Sequence, residues 1–162
     1  MIDKLAIIGV GLIGSSLSLA LKQAAAVQQV VGYGRNQNNL LRGVELGVLD
    51  DFADSIEASV SEADVIVVAV PLGAMRSVFA ELKSVVKKDA IITDVGSAKG
   101  SVVTAARAEL GDMFSRFVPG HPIAGTEKSG VEAALAAGIF HRREIPIADV
   151  KEHLRRRRIE VR

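Results

Sequence analysis

Residues 4–8, KLAII, run without a break into GVGLIG, Gly9 to Gly14. A short apolar run closed by glycine reads as a buried strand. The residues that follow, Leu12 to Ala26, are rich in Leu, Ala and Ser and read as a helix. A strand that turns on glycines directly into a helix must be covered on both faces, so the rest of the chain has to supply more strands and more helices.

It does so in alternation. QVVGY (29–33) reads as a second strand, and Asn36 to Leu46 as a helix with Gly47 at its C-terminal end. Ser55 to Ala63 is a short helix, and DVIVVAV, Asp64 to Val70, is the strongest strand, ended by Pro71. Gly73 to Val86 is a helix, AIITD (90–94) a strand, Lys99 to Leu110 a helix, Arg116 to Val118 a short strand, and Glu127 to Ala137 a helix. Between the last two lies FVPGHPIAGTEKSG, Phe117 to Gly130, which does not alternate like a strand and whose first half cannot be helix. The central strands are apolar on both faces. The fold class expected is α/β, a doubly wound and mostly parallel sheet.

Composition agrees. Of 162 residues, 49% are hydrophobic but only 4% aromatic, so the core is aliphatic, as in parallel sheets covered by helices. There is no cysteine, which excludes disulfides and thiolate metal sites, and no metal is expected. No apolar run approaches the roughly 18 residues of a membrane span. MIDKLAIIGVGLIG lacks a basic n-region and a cleavage site and reads as a strand rather than a signal peptide, so the expected location is the cytoplasm.

Ligands of doubly wound sheets bind outside the carboxyl ends of the strands. After the first strand, Gly9 permits a tight turn, Gly11 lets the backbone approach a pyrophosphate, and Gly14 lets helix and strand pack closely. The helix N-terminus would then supply N–H donors and a partial positive charge to the phosphates. After the second strand comes Gly34-Arg35-Asn36, where an NAD site usually has Asp or Glu for the ribose 2′-hydroxyl. Arg35 could face a 2′-phosphate, stack on adenine, or be solvated. Val70 and Pro71, after the third strand, are candidate cofactor wall or plain strand termination. After the fourth strand, Ser97 and Lys99 lie in a glycine-flanked loop, and Ser97 is either a ligand hydroxyl or a helix cap. After the fifth strand, His121 stands between Gly120 and Pro122 with Pro119 close by, and is either a restrained base able to accept a proton near neutral pH or a histidine that bonds a loop carbonyl.

Three stretches together resemble the nucleotide-binding domain of the prephenate dehydrogenase family, which includes arogenate and cyclohexadienyl dehydrogenases. They are GVGLIGSSL (9–17), DVGSAKGSV (94–102) and GHPIAGTEKSGVEAA (120–134), within a match from about Lys4 to Ala137. The resemblance implies a Rossmann NAD(P)-binding domain and oxidative decarboxylation of prephenate or arogenate in tyrosine biosynthesis. It implies that His121 takes the proton of the ring hydroxyl, that Ser97 bonds the same hydroxyl, and that Thr126 lies near the substrate. Gly9, Gly11, Leu12, Ile13 and Gly14 would hold the pyrophosphate of NAD or, in some relatives, NADP. The alternatives are another Rossmann dehydrogenase of the β-hydroxyacid or imine reductase type, without the HPIAGTEKSG stretch, and a non-catalytic dinucleotide-binding module.

The family continues into a second, mainly helical domain that forms a homodimer and binds the substrate carboxylates. Here the pattern departs near His141. Residues 1–140 carry 12 basic and 15 acidic side chains, residues 141–162 carry 8 and 4. The expected organisation is a dinucleotide-binding domain over 1–140 and a divergent basic tail over 141–162, with Glu144 to Ala148 as a possible last strand. A natural short protein, a truncation and a lost reading frame near Phe140 compete as explanations. Either of the last two leaves a cofactor half without productive substrate binding and with an apolar face for self-association. Arg155 to Arg158 is one cluster without aromatics, so no nucleic-acid partner is expected.

Overall fold

The computed structural model describes residues 1–123 and the short strand 133–136, with residues 121–123 and 133–136 described by backbone alone. Strand β1 is Ile2–Ile8, followed by helix α1 (Leu12–Gln23), β2 (Val27–Tyr33), α2 (Gln37–Glu45), β3 (Asp51–Phe52) and α3 (Ile56–Val60). Then come β4 (Val65–Val68), α4 (Leu72–Val85), β5 (Ile91–Asp94), α5 (Lys99–Glu109), a 3-10 turn over Gly111–Arg116, β6 (Phe117–Val118), β7 (Gly120–Ile123) and β8 (Ala133–Ala136). The first six strands form one sheet in the order β3-β2-β1-β4-β5-β6, and every pairing in it is parallel. The doubly wound expectation therefore holds.

Side-chain alternation along the strands builds two cores, one on each face. Leu5 and Ile7 of β1 pack on one side with Val30, Leu40, Leu49 and Val67. Ala6 and Ile8 pack on the other with Ile66, Val68 and Ile92 and with the buried stripe Met75, Val78, Phe79 and Leu82 of α4. Phe79 meets Phe117 of β6 edge to face, with ring centroids 5.4 Å apart. Such a pair adds about 0.5–1.5 kcal/mol beyond its area burial.

Polar contacts tie strand entries together. Asp64 accepts from the backbone N–H of Asp3 (2.9 Å) and Lys4 (3.0 Å) at the start of β1, and from Lys87 Nζ at 2.6 Å. The Lys87 ammonium, then the Lys4 and Asp3 amides, hold the Asp64 carboxyl well below the usual carboxylate range, at about 2.

Two expectations fail in the same region. The segment Glu127 to Ala137 reads as helix from its composition, yet its residues Ala133–Ala136 are a strand. The stretch beginning at Phe117 shows no strand alternation, yet Gly120–Ile123 is a strand, and β7 pairs antiparallel with β8, Gly120 opposite Ala136 and Ile123 opposite Ala133. The physical reason is long-range. Backbone groups of one segment are satisfied by those of the other, which outweighs the helix propensity of alanine. Thr126, the whole GTEKSG motif and the whole basic tail lie outside the described residues.

Candidate functional site

The connections on either side of the sheet diverge between β1 and β4, where strand order reverses, and a crevice opens at the carboxyl ends of these strands. Its rim is fixed by backbone hydrogen bonds. Gly9 N–H donates to the Tyr33 carbonyl at the end of β2 (2.8 Å), and Ala69 N–H donates to the Ile8 carbonyl (2.7 Å).

The three glycines of the first turn serve different ends. Gly9 has φ +96°, and a Cβ there would stand 2.5 Å from the Ala69 carbonyl oxygen, so only glycine allows β1 to turn this close to β4. At Gly14 a Cβ would meet the Gly9 carbonyl and Ile7 Cγ2, both at 3.0 Å, so its absence lets α1 sit on the sheet. At Gly11 a Cβ would meet nothing within 4 Å. The fold does not need glycine there.

Gly11 is also the N-cap of α1, with no side-chain cap and no acidic residue in the first turn. The N–H groups of Leu12, Ile13 and Gly14 have no acceptor within the helix, since the first intrahelical bond comes from Ser15 N–H to the Gly11 carbonyl (2.9 Å). Leu12 is 89% exposed at this corner. An uncapped helix start beside an open glycine face is what an anionic pyrophosphate requires, so the residues present fit a dinucleotide.

The crevice continues as a cleft of about 590 Å³ that runs from Gly9 and Gly11 past Arg35 and Val70-Pro71 to α4. Beside it lies a second hollow of about 740 Å³, with Arg35, Asn36 and Asp54 on its wall. Arg35 is exposed and makes no ion pair among the described residues. Asn36 is the N-cap of α2 and accepts from Asn39 N–H at 3.2 Å. Val70 and Pro71 do line the cleft, although β4 has already ended at Val68 and Pro71 stands at the start of α4.

On the far side of β4, Asp94 closes β5 with its side chain fully buried. Its Oδ2 accepts from Gly96 N–H at 2.7 Å and from Lys99 Nζ, and its Oδ1 accepts from Gly120 N–H at 3.3 Å. Gly120 is forced as well, because a Cβ there would lie 2.6 Å from the Asp94 carbonyl oxygen. One carboxylate thus clips the loop that carries Ser97 to the strand that carries His121. Ser97 is exposed in that loop, and His121 follows Gly120 directly.

Comparison with known proteins agrees with this arrangement. The family described as "Prephenate dehydrogenase, nucleotide-binding domain" matches residues 17–153. The chain belongs to that family. It is 38% identical over 135 residues to the prephenate dehydrogenase of Bacillus subtilis, covering 83% of this chain and 36% of that protein. It is 39% identical over 132 residues to the cyclohexadienyl dehydrogenase of Zymomonas mobilis, covering 82% of this chain and 44% of that protein. Among solved structures, prephenate dehydrogenase from A. aeolicus in complex with hydroxyphenyl propionate and NAD+ superposes with a TM-score of 0.70 at 35% identity, covering 82% of this chain and 46% of the other. The chain spans less than half the length of these relatives. The match of this family begins after the glycine turn, so the reading of Gly9 to Gly14 stands on its geometry.

Two residues of the site are not visible in the sequence. Asp54 shares the second hollow with Arg35, but it follows β3, 19 positions later in the chain. Asp94 opens the stretch DVGSAKGSV, yet nothing local shows that it reaches Gly120, 26 residues away.

Proposed function

We propose that the chain is the cofactor-binding part of an NAD(P)-dependent dehydrogenase that oxidatively decarboxylates prephenate or arogenate in tyrosine biosynthesis, working in the cytoplasm. The observation that carries this is the uncapped start of α1 beside the open face of Gly11, at the head of the cleft, and the Asp94 clip holds the loop of Ser97 to the strand of His121 at the same edge of the sheet. Gly9, Gly11 and Gly14 shape the pyrophosphate seat, and the N–H groups of Leu12 and Ile13 donate into it. Val70 and Pro71 form a wall of the cofactor cleft.

When bound, the nicotinamide ring supplies the hydride acceptor. The hydride leaves the ring carbon that carries the substrate hydroxyl, His121 takes the hydroxyl proton, and the carboxylate on the opposite ring carbon departs as CO₂ with its bonding electrons left in the ring. Ser97 bonds the same hydroxyl and orients it toward His121, with Thr126 beside the substrate. Aromatisation drives the step, so the protein's work is positioning and one proton transfer.

NAD and NADP are both open to this site. Arg35 favours a 2′-phosphate, and Asp54 on the same hollow offers a carboxylate to a 2′-hydroxyl. The same reading makes the active form a homodimer, joined through the second, helical domain that the family carries. Calorimetric titration with NAD and with NADP, each with and without prephenate, tests the proposal. Binding that prephenate strengthens supports it. Dinucleotide binding that ignores prephenate reduces it to a cofactor module, and no binding of either nucleotide overturns it.

A further inference from the structure

Along α4 the cleft is built differently from its start at Gly11. Ile56 and Val78 line it with apolar surface there, and two polar side chains of α4, Ser77 and Glu81, line it as well. They are four residues apart, so they share one face of the helix. Ser77 Oγ donates to the Ala74 carbonyl at 2.9 Å, which spends its proton and leaves its lone pairs to accept. Glu81 is exposed and makes no hydrogen bond or ion pair among the described residues. The nearby Arg76 is already engaged with Glu109, at 2.7 Å. The cleft therefore joins the N–H donors at Gly11 and the Arg35 guanidinium to an apolar face of α4 that carries two acceptors, Ser77 and Glu81.

That order of charges suits one ligand end. A purine with a 6-amino group is flat and apolar on its faces and presents hydrogen-bond donors on one edge, whereas a 6-oxo purine presents an acceptor there. A carboxylate accepts and cannot donate. We propose that Glu81, with Ser77 one turn before it, selects the 6-amino purine of the dinucleotide by accepting from its exocyclic amine. The inference rests on the dinucleotide reading of the cleft and adds to it a residue that fixes which base is taken.

The test is calorimetric titration of the full chain with NAD and NADP and with their hypoxanthine counterparts, in which the 6-amino group is replaced by oxygen. The wild-type chain is expected to bind the adenine forms at least about tenfold more tightly, the size of one good base-edge contact. Glu81→Gln can donate to a 6-oxo group as well as accept from a 6-amino group, so it should bring the two forms within about threefold of each other. Glu81 is exposed, so this variant should melt with the wild type. Equal binding of both base forms by the wild type, or an unchanged ratio in Glu81→Gln, overturns the role of Glu81 and leaves the dinucleotide reading intact. Failure of every dinucleotide to bind overturns both.

Discussion

Replacing Gly11 by alanine separates what the glycine turn does for the fold from what it does for a ligand. Gly11 has φ −111° and ψ −166°, a region any L-residue adopts, and a Cβ there would meet nothing within 4 Å. Alanine caps a helix less well than glycine, at a cost of about 0.5–1 kcal/mol. Against this, it reduces the freedom of the unfolded chain by about 0.4–1 kcal/mol. The two nearly cancel, so Gly11→Ala should change stability by less than about 1 kcal/mol. Binding should suffer far more. The new methyl occupies the space through which a pyrophosphate reaches the N–H groups of Leu12 and Ile13. Each lost hydrogen bond to a charged group is worth about 1.5–3 kcal/mol, or roughly 10- to 150-fold in Kd. Gly9→Ala is the control with the opposite signature. Its Cβ would lie 2.5 Å from the carbonyl oxygen and 2.7 Å from the carbonyl carbon of Ala69, at φ +96°. Backbone strain of about 1–2 kcal/mol and an overpacking cost of about 1–3 kcal/mol give a loss of about 2–5 kcal/mol. Urea unfolding followed by circular dichroism gives the stabilities, and calorimetry with NAD gives the affinities. A Gly11→Ala chain that binds NAD as tightly as wild type, or that loses more than about 2 kcal/mol of stability, would falsify the division of labour argued here.

Three more outcomes are expected. Asp94→Asn breaks a buried ion pair and disturbs both clipped amides. Lys99 is 21% exposed and can turn to water, so the loss should be about 2–4 kcal/mol, smaller than for a fully buried pair, read from urea midpoints; a loss under about 0.5 kcal/mol would mean that Asp94 is not the clip. Asp64 has a folded-state pKa of about 2, below its ordinary value of 3.8, so its stabilisation is fully present above about pH 4 and disappears as pH falls through 2. Wild type and Asp64→Asn should therefore differ in urea midpoint at pH 6 and converge near pH 2, and a constant gap across that range would exclude this linkage. Arg35→Ala should weaken NADP at least about tenfold more than NAD, while Asp54→Asn should weaken NAD more than NADP. Equal losses for both cofactors would assign Arg35 to stacking on the base instead.

Much of the site was legible early because its signals are local. The glycine turn, the loop with Ser97 and the stretch with His121 each follow an apolar strand, and a strand's carboxyl end lies on the ligand edge of a parallel sheet wherever the strand falls in the order. Element boundaries drifted by a few residues at most, as with α1, read to Ala26 and ending at Gln23. The residues that escaped are those whose partners are distant in sequence. Asp54 matters through its nearness to Arg35, Glu81 through the wall it shares with Leu40 and Ile56, and Asp94 through Gly120.

The sequence alone determined the alternation of strand and helix, the aliphatic core, the sheet's ligand edge and the three glycines of its first turn. These depend on hydrophobic period, propensity and backbone freedom, which each residue carries within its own neighbourhood. Only the tertiary structure decided that Gly11 is free of the fold while Gly9 is not. It alone decided that Ala133–Ala136 pairs as a strand with Gly120–Ile123 rather than coiling, and that one buried carboxylate joins two loops. Those outcomes turn on which backbone groups and side chains meet across long separations, and no local pattern contains that information.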